Sequence, residues 1–172
     1  PDAQLLEQLR LAHPTVDACL GTLADLDEKV EFDTIVYIDV LEHIEDDGGE
    51  LECAAKHLAP DGHLVVLSPA HQWLFTPFDA AIGHHRRYNR PMLRAITPPT
   101  LRLATSFYLD SVGMVLASAA NKVLLQQAAP TAGQIALWDR VMVPMSRLID
   151  PLLRRRTGKT VVGVWTPQRD GA

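Results

Sequence analysis

The sequence is poor in several things, and each shortage excludes a class of protein. Among 172 residues there are only two cysteines, Cys19 and Cys53, with no C-x-x-C pair. A disulfide scaffold, a redox pair and a zinc knuckle are therefore not expected, and a reducing cytoplasm is the expected setting. No run approaches the roughly 18 apolar residues of a membrane span. Internal repeats and low-complexity tracts are absent. Basic charge is in deficit overall, 16 Lys+Arg against 21 Asp+Glu. No basic stripe interleaved with aromatics appears, so nucleic acid is not an expected partner. None of the ten glycines forms a G-x-G-x-x-G pattern. The chain opens Pro1-Asp2-Ala3, without Met or a signal peptide, which suggests a fragment.

What remains is enough for a globular domain. Hydrophobic residues make up 47% of the chain, and the length suits one domain with an appendage. The charge is unevenly divided. Residues 1–62 carry 16 acidic and 3 basic side chains, whereas residues 63–172 carry 5 and 13. Leu5, Leu6, Leu9 and Ala12 recur at helical spacing over residues 3–12, and Pro14 follows. Residues 15–20 are short and β-prone. Phe32–Ile38 is a nearly continuous β-branched run, as in a strand covered on both faces. Residues 39–47 read as a loop or short helix, residues 50–58 as a helix, and Pro60-Asp61-Gly62 as a turn into a strand at His63–Leu67. Strand, helix and strand with short links make a βαβ unit. Residues 70–90 are irregular and rich in His, Arg and aromatic side chains, as site-bearing loops after parallel strands often are. Residues 101–108 and 160–166 predict two more strands. Residues 111–127 and 134–155 predict helices, with Pro144 and Pro151 expected to kink or break the second.

Three segments, FDTIVYIDVLEHI (32–44), LAPDGHLVVLSP (58–69) and GHHRRY (83–88), together resemble class I S-adenosylmethionine-dependent methyltransferases. More narrowly, they are similar to the bacterial group with D-V-L-E-H after the fourth strand and G-H-x-R-R-Y after the fifth. The resemblance implies an α/β fold with a Rossmann-like class I methyltransferase sheet, mostly parallel with the last strand antiparallel. It implies N-terminal truncation and a helical insertion. On this reading residues 1–108 are a partial core, from the helix after the second strand to the sixth strand. Residues 109–157 are a helical insertion or cap, and residues 158–172 the last core strand and tail. Residues 15–20 would be the third strand.

The resemblance also assigns roles. Gly21, Thr22 and Leu23 occupy the place of the adenine-contacting loop, with Thr22 where the family usually has an acidic residue. Asp39, Val40 and Leu41 would line the methionine end of the cofactor, S-adenosyl-L-methionine. His43 and His84 are the catalytic candidates, since imidazole titrates near neutrality. In-line methyl displacement from a sulfonium draws most of its acceleration from positioning, so a base is dispensable. His85, Arg87 and Tyr88 would face the acceptor. The glycine-rich turn and ribose-gripping acid of the family are not in the sequence, so weak or no cofactor binding is expected of this chain alone.

Asp39, Glu42, His43 and His84 form a further pattern. Asp-x-x-Glu-His sets carboxylates and an imidazole within five residues, and mixed O/N donors suit Mg, Mn or Zn. The plainer reading is that Glu42 and His43 fix the loop by hydrogen bonds. His13, His57, His63 and His71 read as ordinary surface or loop histidines. Arg86, Arg87, Arg90 and Arg94 form a basic patch, suited either to an anionic acceptor or to pairing with the acidic first half. Gly158-Lys159-Thr160 ends like a phosphate-binding loop but lacks the earlier glycine and precedes a strand.

About 50 residues separate Tyr108 from Thr160, too many for a plain loop. Their apolar content calls for cover. A two-helix cap over the acceptor is expected first, with residues 111–155 as a shared homodimer surface. A membrane-surface patch using Arg147 and Arg154–Arg156 ranks third. The function expected is methyl transfer to a small-molecule acceptor, lipid- or glycan-linked ones among them. The alternative is a non-catalytic interaction module on a degenerate form of the fold.

Overall fold

The computed structural model of the chain describes residues 2–123 and 132–168. The ends of two expected features, the helical stretch at 124–127 and the tail at 169–172, lie outside the described residues, as do Pro130 and Thr131. The elements run α1 (Ala3–Ala12), β1 (Phe32–Ile38), α2 (Asp47–Lys56), β2 (Leu58–Pro69), α3 (Pro77–Ala81) and α4 (Arg90–Ala95). They continue with β3 (Leu101–Leu109), α5 (Ser111–Val123), α6 (Ala132–Leu137), α7 (Val143–Leu152) and β4 (Thr160–Pro167).

The four strands form one sheet in the order β1-β2-β4-β3. β1 pairs parallel with β2, and β4 lies antiparallel between β2 and β3. Three strands therefore run one way and their carboxyl ends share one edge, while the last strand runs back. Leu64, Val66, Val161 and Trp165 are fully buried on this sheet, against Leu51 and Ala54 of α2. Each large apolar side chain removed from water contributes roughly 1.5–3 kcal/mol.

Two local readings change. Residues 15–20 form no strand. The outer edge of β1 has no further strand beside it among the described residues, so a segment there finds no backbone partner. The Pro60–Gly62 turn is instead a bulge inside one long strand. The β1–β2 register steps from Phe32↔Leu58 to Thr34↔His63, and residues 59–62 loop out. The first helix forms where expected, capped by the Asp2 carboxylate, but buries none of its residues.

The segment after β3 is helical and stands on the carboxyl edge of the sheet. α5 packs on α7 and touches the turn at Gln72–Leu74. Pro144 does not break its helix. The chain passes from α6 through a π-helical turn at Trp138–Met142 into α7, with Pro144 in the first turn of α7. A π turn shifts the hydrogen-bond ladder locally, so the missing proline N–H costs no break. Leu148 and Leu152 of α7 remain exposed. No helix among the described residues is long and apolar enough to cross a membrane.

Candidate active site

The site is built from two loops at the carboxyl ends of β1 and β2. β1 ends at Ile38; the next residue, Asp39, takes a left-handed conformation (φ 51°), and its N–H donates to the Leu67 carbonyl at 3.0 Å. That reversal leaves Asp39 and Val40 exposed, then drives Leu41 and Glu42 inward in a 3-10 turn at Leu41–His43. Leu41 is fully buried in the core. The other loop turns at Gly83, whose φ of 86° favours glycine. It then places His84 beside His43, with ring centroids 4.5 Å apart and edge to face. The His85 N–H donates to the Glu42 carbonyl at 2.8 Å, tying the two loops together.

Asp79 organises the second loop. Thr76-Pro77-x-Asp79 is a reciprocal capping box at the start of α3. The same carboxylate accepts from Arg87 Nε and Nη2, both at 2.9 Å, and lies 2.9 Å from His84 Nδ1. Burial by itself would raise the Asp79 carboxyl. The Arg87 fork and the Thr76 donors outweigh it and hold the group at about 2. Arg87 is thus buried against Asp79, and not, as the pairing expectation had it, against the acidic first half. Arg86 does meet that half, at Asp47 Oδ2, 2.6 Å away. Tyr88 is fully buried, and its hydroxyl donates to Asp47 Oδ2 at 2.7 Å. Arg87, through Nε and Nη2, and Tyr88, through its hydroxyl, both hold the loop. His85 stays exposed.

Glu42 is fully buried. Ser68 Oγ donates to its Oε2 at 3.0 Å, while its Oε1 has no hydrogen-bond partner and faces His84 Nε2 at 3.8 Å. Burial pushes the Glu42 carboxyl up, and the nearby Asp39 charge adds to that push. Glu42, His43 and His84 offer ligand atoms within 4.8 Å of one another; Asp39 stands outside this group.

Gly21, Thr22 and Leu23 lie before and within a 3-10 turn at Leu23–Asp25. The Thr22 hydroxyl and N–H both donate to Asp25 Oδ2, so that hydroxyl is committed locally. The basic patch divides: Arg90 and Arg94 line a separate cleft of about 430 Å³ with Pro91 and Tyr108.

With the loops placed, likeness to known proteins can be stated. The model of the methyltransferase-domain family matches residues 6–106, more than half of the chain. The chain belongs to this family. No curated protein matches it. Among solved structures, it superposes on a chain of the complex between the Haloferax volcanii Trm112 methyltransferase activator and a methyltransferase. That match has a TM-score of 0.59 and 15% identity over 99% of this chain and 70% of that one. NodS, an N-methyltransferase from Bradyrhizobium japonicum WM9, gives a TM-score of 0.52 and 14% identity, covering 98% and 70%. Coclaurine N-methyltransferase, in a structure with N-methylheliamine and SAH, gives 0.57 and 11%, covering 96% and 58%. At these identities the likeness is one of fold. The architecture is accordingly a Rossmann-like methyltransferase sheet with its last strand antiparallel.

Three residues that this methyltransferase domain places at the site carry weak sequence signals. Asp79 stands in the sequence only as one polar residue of the irregular 70–90 stretch, and Ser68 only as the residue after a strand. His71 reads as a loop histidine but takes φ 67°, stacks on Tyr108 at 4.9 Å and buries Nε2 without a partner. Burial holds its imidazole below the usual range. Lys159 closes the same edge, its Nζ 3.8 Å from the centre of the Trp138 ring, and burial pulls it down as well.

Proposed function

We propose that the protein transfers a methyl group from S-adenosyl-L-methionine to a small-molecule acceptor, lipid- and glycan-linked acceptors included. The observation that carries this reading is the placement of Asp39, Val40, Glu42, His43 and His84 at the carboxyl edge of the parallel pair, in a chain of this family. Ligands of open α/β sheets bind outside the carboxyl ends of the strands.

The residues present fit one end of the cofactor. Asp39 offers an open carboxylate and Val40 an open apolar surface at the strand end, suited to the cationic, partly apolar methionine portion. Gly21, Thr22 and Leu23 would stand at the adenine, through backbone and the Leu23 side chain, since the Thr22 hydroxyl is engaged. The cofactor supplies an electrophilic methyl. The chain's part is to hold donor and acceptor in line and to exclude water. His43, exposed beside the buried Glu42, would accept a proton from an acceptor hydroxyl where no ion occupies its ring nitrogen; His84, held from behind by Asp79, would orient the pair. His85 would meet the acceptor from the rim, with Arg87 and Tyr88 acting through the loop they anchor.

Calorimetric titration of S-adenosylhomocysteine into the full-length protein tests this. Saturable binding that weakens tenfold or more in Asp39→Ala supports the reading, and absence of binding removes it. The 172-residue chain alone is expected to bind weakly, since it contains no glycine-rich turn. A non-catalytic interaction module is the second reading, favoured by the apolar side chains left exposed on α1, Leu5 and Leu11 among them.

A further inference from the structure

We propose that Glu42, His43 and His84 bind a divalent transition-metal ion, with Zn²⁺ as the best match. The argument begins with an orphan. Glu42 is fully buried, one carboxylate oxygen is satisfied by Ser68, and the other has no partner. Buried polar atoms are rarely left so, because desolvation without a hydrogen bond costs free energy. The nearest polar atom across the gap is His84 Nε2, at 3.8 Å. That is beyond hydrogen-bond reach. It is the kind of separation that two ligands of one ion adopt: bonds of roughly 2.0–2.1 Å in tetrahedral array set ligand atoms about 3.4 Å apart.

The surroundings favour a ligand set over a chance approach. Asp79 Oδ1 sits 2.9 Å from His84 Nδ1, so Nδ1 donates there and Nε2 is the ring atom that faces Glu42. A carboxylate behind an imidazole in this way fixes the tautomer and raises the basicity of metal-bound histidines. Asp79 is itself locked by Arg87 and Thr76, so the imidazole is held on a rigid support. His43 completes the group from the open side, with all three ligand atoms within 4.8 Å of one another. Two imidazoles and one carboxylate are a donor set that Zn²⁺ takes in sites keeping a position open, and nitrogen donors discriminate against Mg²⁺ and Ca²⁺. The exposed face of His43 leaves such a position to solvent or to a ligand. This inference concerns ion binding alone and stands whether or not the domain transfers methyl groups.

Chelator-stripped protein titrated with ZnCl₂ in a calorimeter tests it, with CoCl₂ absorption as a second readout of tetrahedral nitrogen and oxygen ligation. One ion per chain is expected, with little competition from MgCl₂. His84→Ala and Glu42→Gln should each weaken Zn²⁺ binding at least tenfold, and Asp79→Asn by about 10- to 100-fold as a support residue. Because buried substitutions disturb folding, His43→Ala is the decisive variant: its side chain is exposed, and it should weaken binding while leaving the circular dichroism unchanged. His63→Ala, an exposed histidine away from the site, should bind as the parent does. No Zn²⁺ binding by the folded parent at millimolar metal would overturn the proposal. So would binding that His43→Ala and His84→Ala leave unchanged.

Discussion

Asp79 holds His84 and Arg87 with one carboxylate: Oδ1 lies 2.9 Å from His84 Nδ1 and also accepts from Arg87 Nε, while Oδ2 takes Arg87 Nη2. Both partners come from the turn that follows Gly83, so the position of the site histidine depends on a buried ion pair. Asp79→Asn leaves the Arg87 guanidinium buried without its counter-charge. Breaking a buried pair from one side costs about 3–5 kcal/mol. The expected result is a fall in the unfolding free energy from urea titration of that order; a change under about 1 kcal/mol would mean that the pair is dispensable.

The same carboxylate sets a pH dependence. Its folded-state value is about 2, below the ordinary carboxylate range. A group depressed on folding contributes stability above its unfolded value and loses it as pH falls toward the folded one. In chelator-treated protein, the stability gap between the parent and Asp79→Asn should be full at pH 6. It should narrow from about pH 4 down to about 2. A gap that stays constant across that range would contradict the assignment.

How much of this was legible in the sequence follows from where each residue's partners lie. β1 was readable to the residue because a β-branched run is a local property, but the expected cover on both faces is absent: Ile35 and Tyr37 are buried, while Val36 and Ile38 on the other face stay exposed. The Glu42–His43 placement followed from their adjacency, and His84 from a motif with its own turn glycine. Asp79 was not legible as a site residue, because its meaning comes from Arg87 and His84, reached only when the loop closes. Leu41 and Tyr88 show the converse. Both sit in motifs that suggest contact with ligands, yet the left-handed turn at Asp39 sends Leu41 into the core and Tyr88 packs beneath it, its hydroxyl 3.2 Å from the Leu41 carbonyl. Residues 15–20 have the composition of a strand, but a strand is made by its neighbour.

Tyr88 supplies a cleaner test of how the two loops are joined. Its buried hydroxyl donates to Asp47 Oδ2, and the carboxylate together with burial pushes the phenol up, so it is never ionised in working buffers. Tyr88→Phe keeps the ring and deletes the hydroxyl's short bond to the Asp47 carboxylate and its longer contact with the Leu41 carbonyl. The loss should be near the low end of the 1.5–3 kcal/mol typical of such bonds, about 1.5, because Arg86 still satisfies Asp47. Hydrogen exchange should show faster opening at residues 41–47 than in β4. Uniform acceleration everywhere would place the effect in global stability alone.

The helices on the carboxyl edge depend on a different carboxylate. Asp110, just after β3, takes a left-handed conformation (φ 63°) and caps α5 by accepting from the Gly113 N–H. The turn exposes two backbone donors, the N–H groups of Asp110 and Ser111, and the Asp150 side chain of α7 accepts both, at 2.8 and 3.0 Å. Asp150 is 3% exposed, so water cannot readily replace it. Asp110 in turn accepts from Trp138 Nε1 and Ser146 Oγ, which draws the π turn and α7 onto the same corner. Asp150→Ala should therefore leave two buried N–H groups unpaired and cost about 2–4 kcal/mol. The loss should be local: limited proteolysis ought to cut within 111–152 while the sheet core keeps its protection. Asp150→Asn, which retains one acceptor, should fall between the parent and alanine. If Asp150→Ala unfolds sheet and helices in a single transition with unchanged cleavage sites, the helical segment is not a separable layer but part of the core.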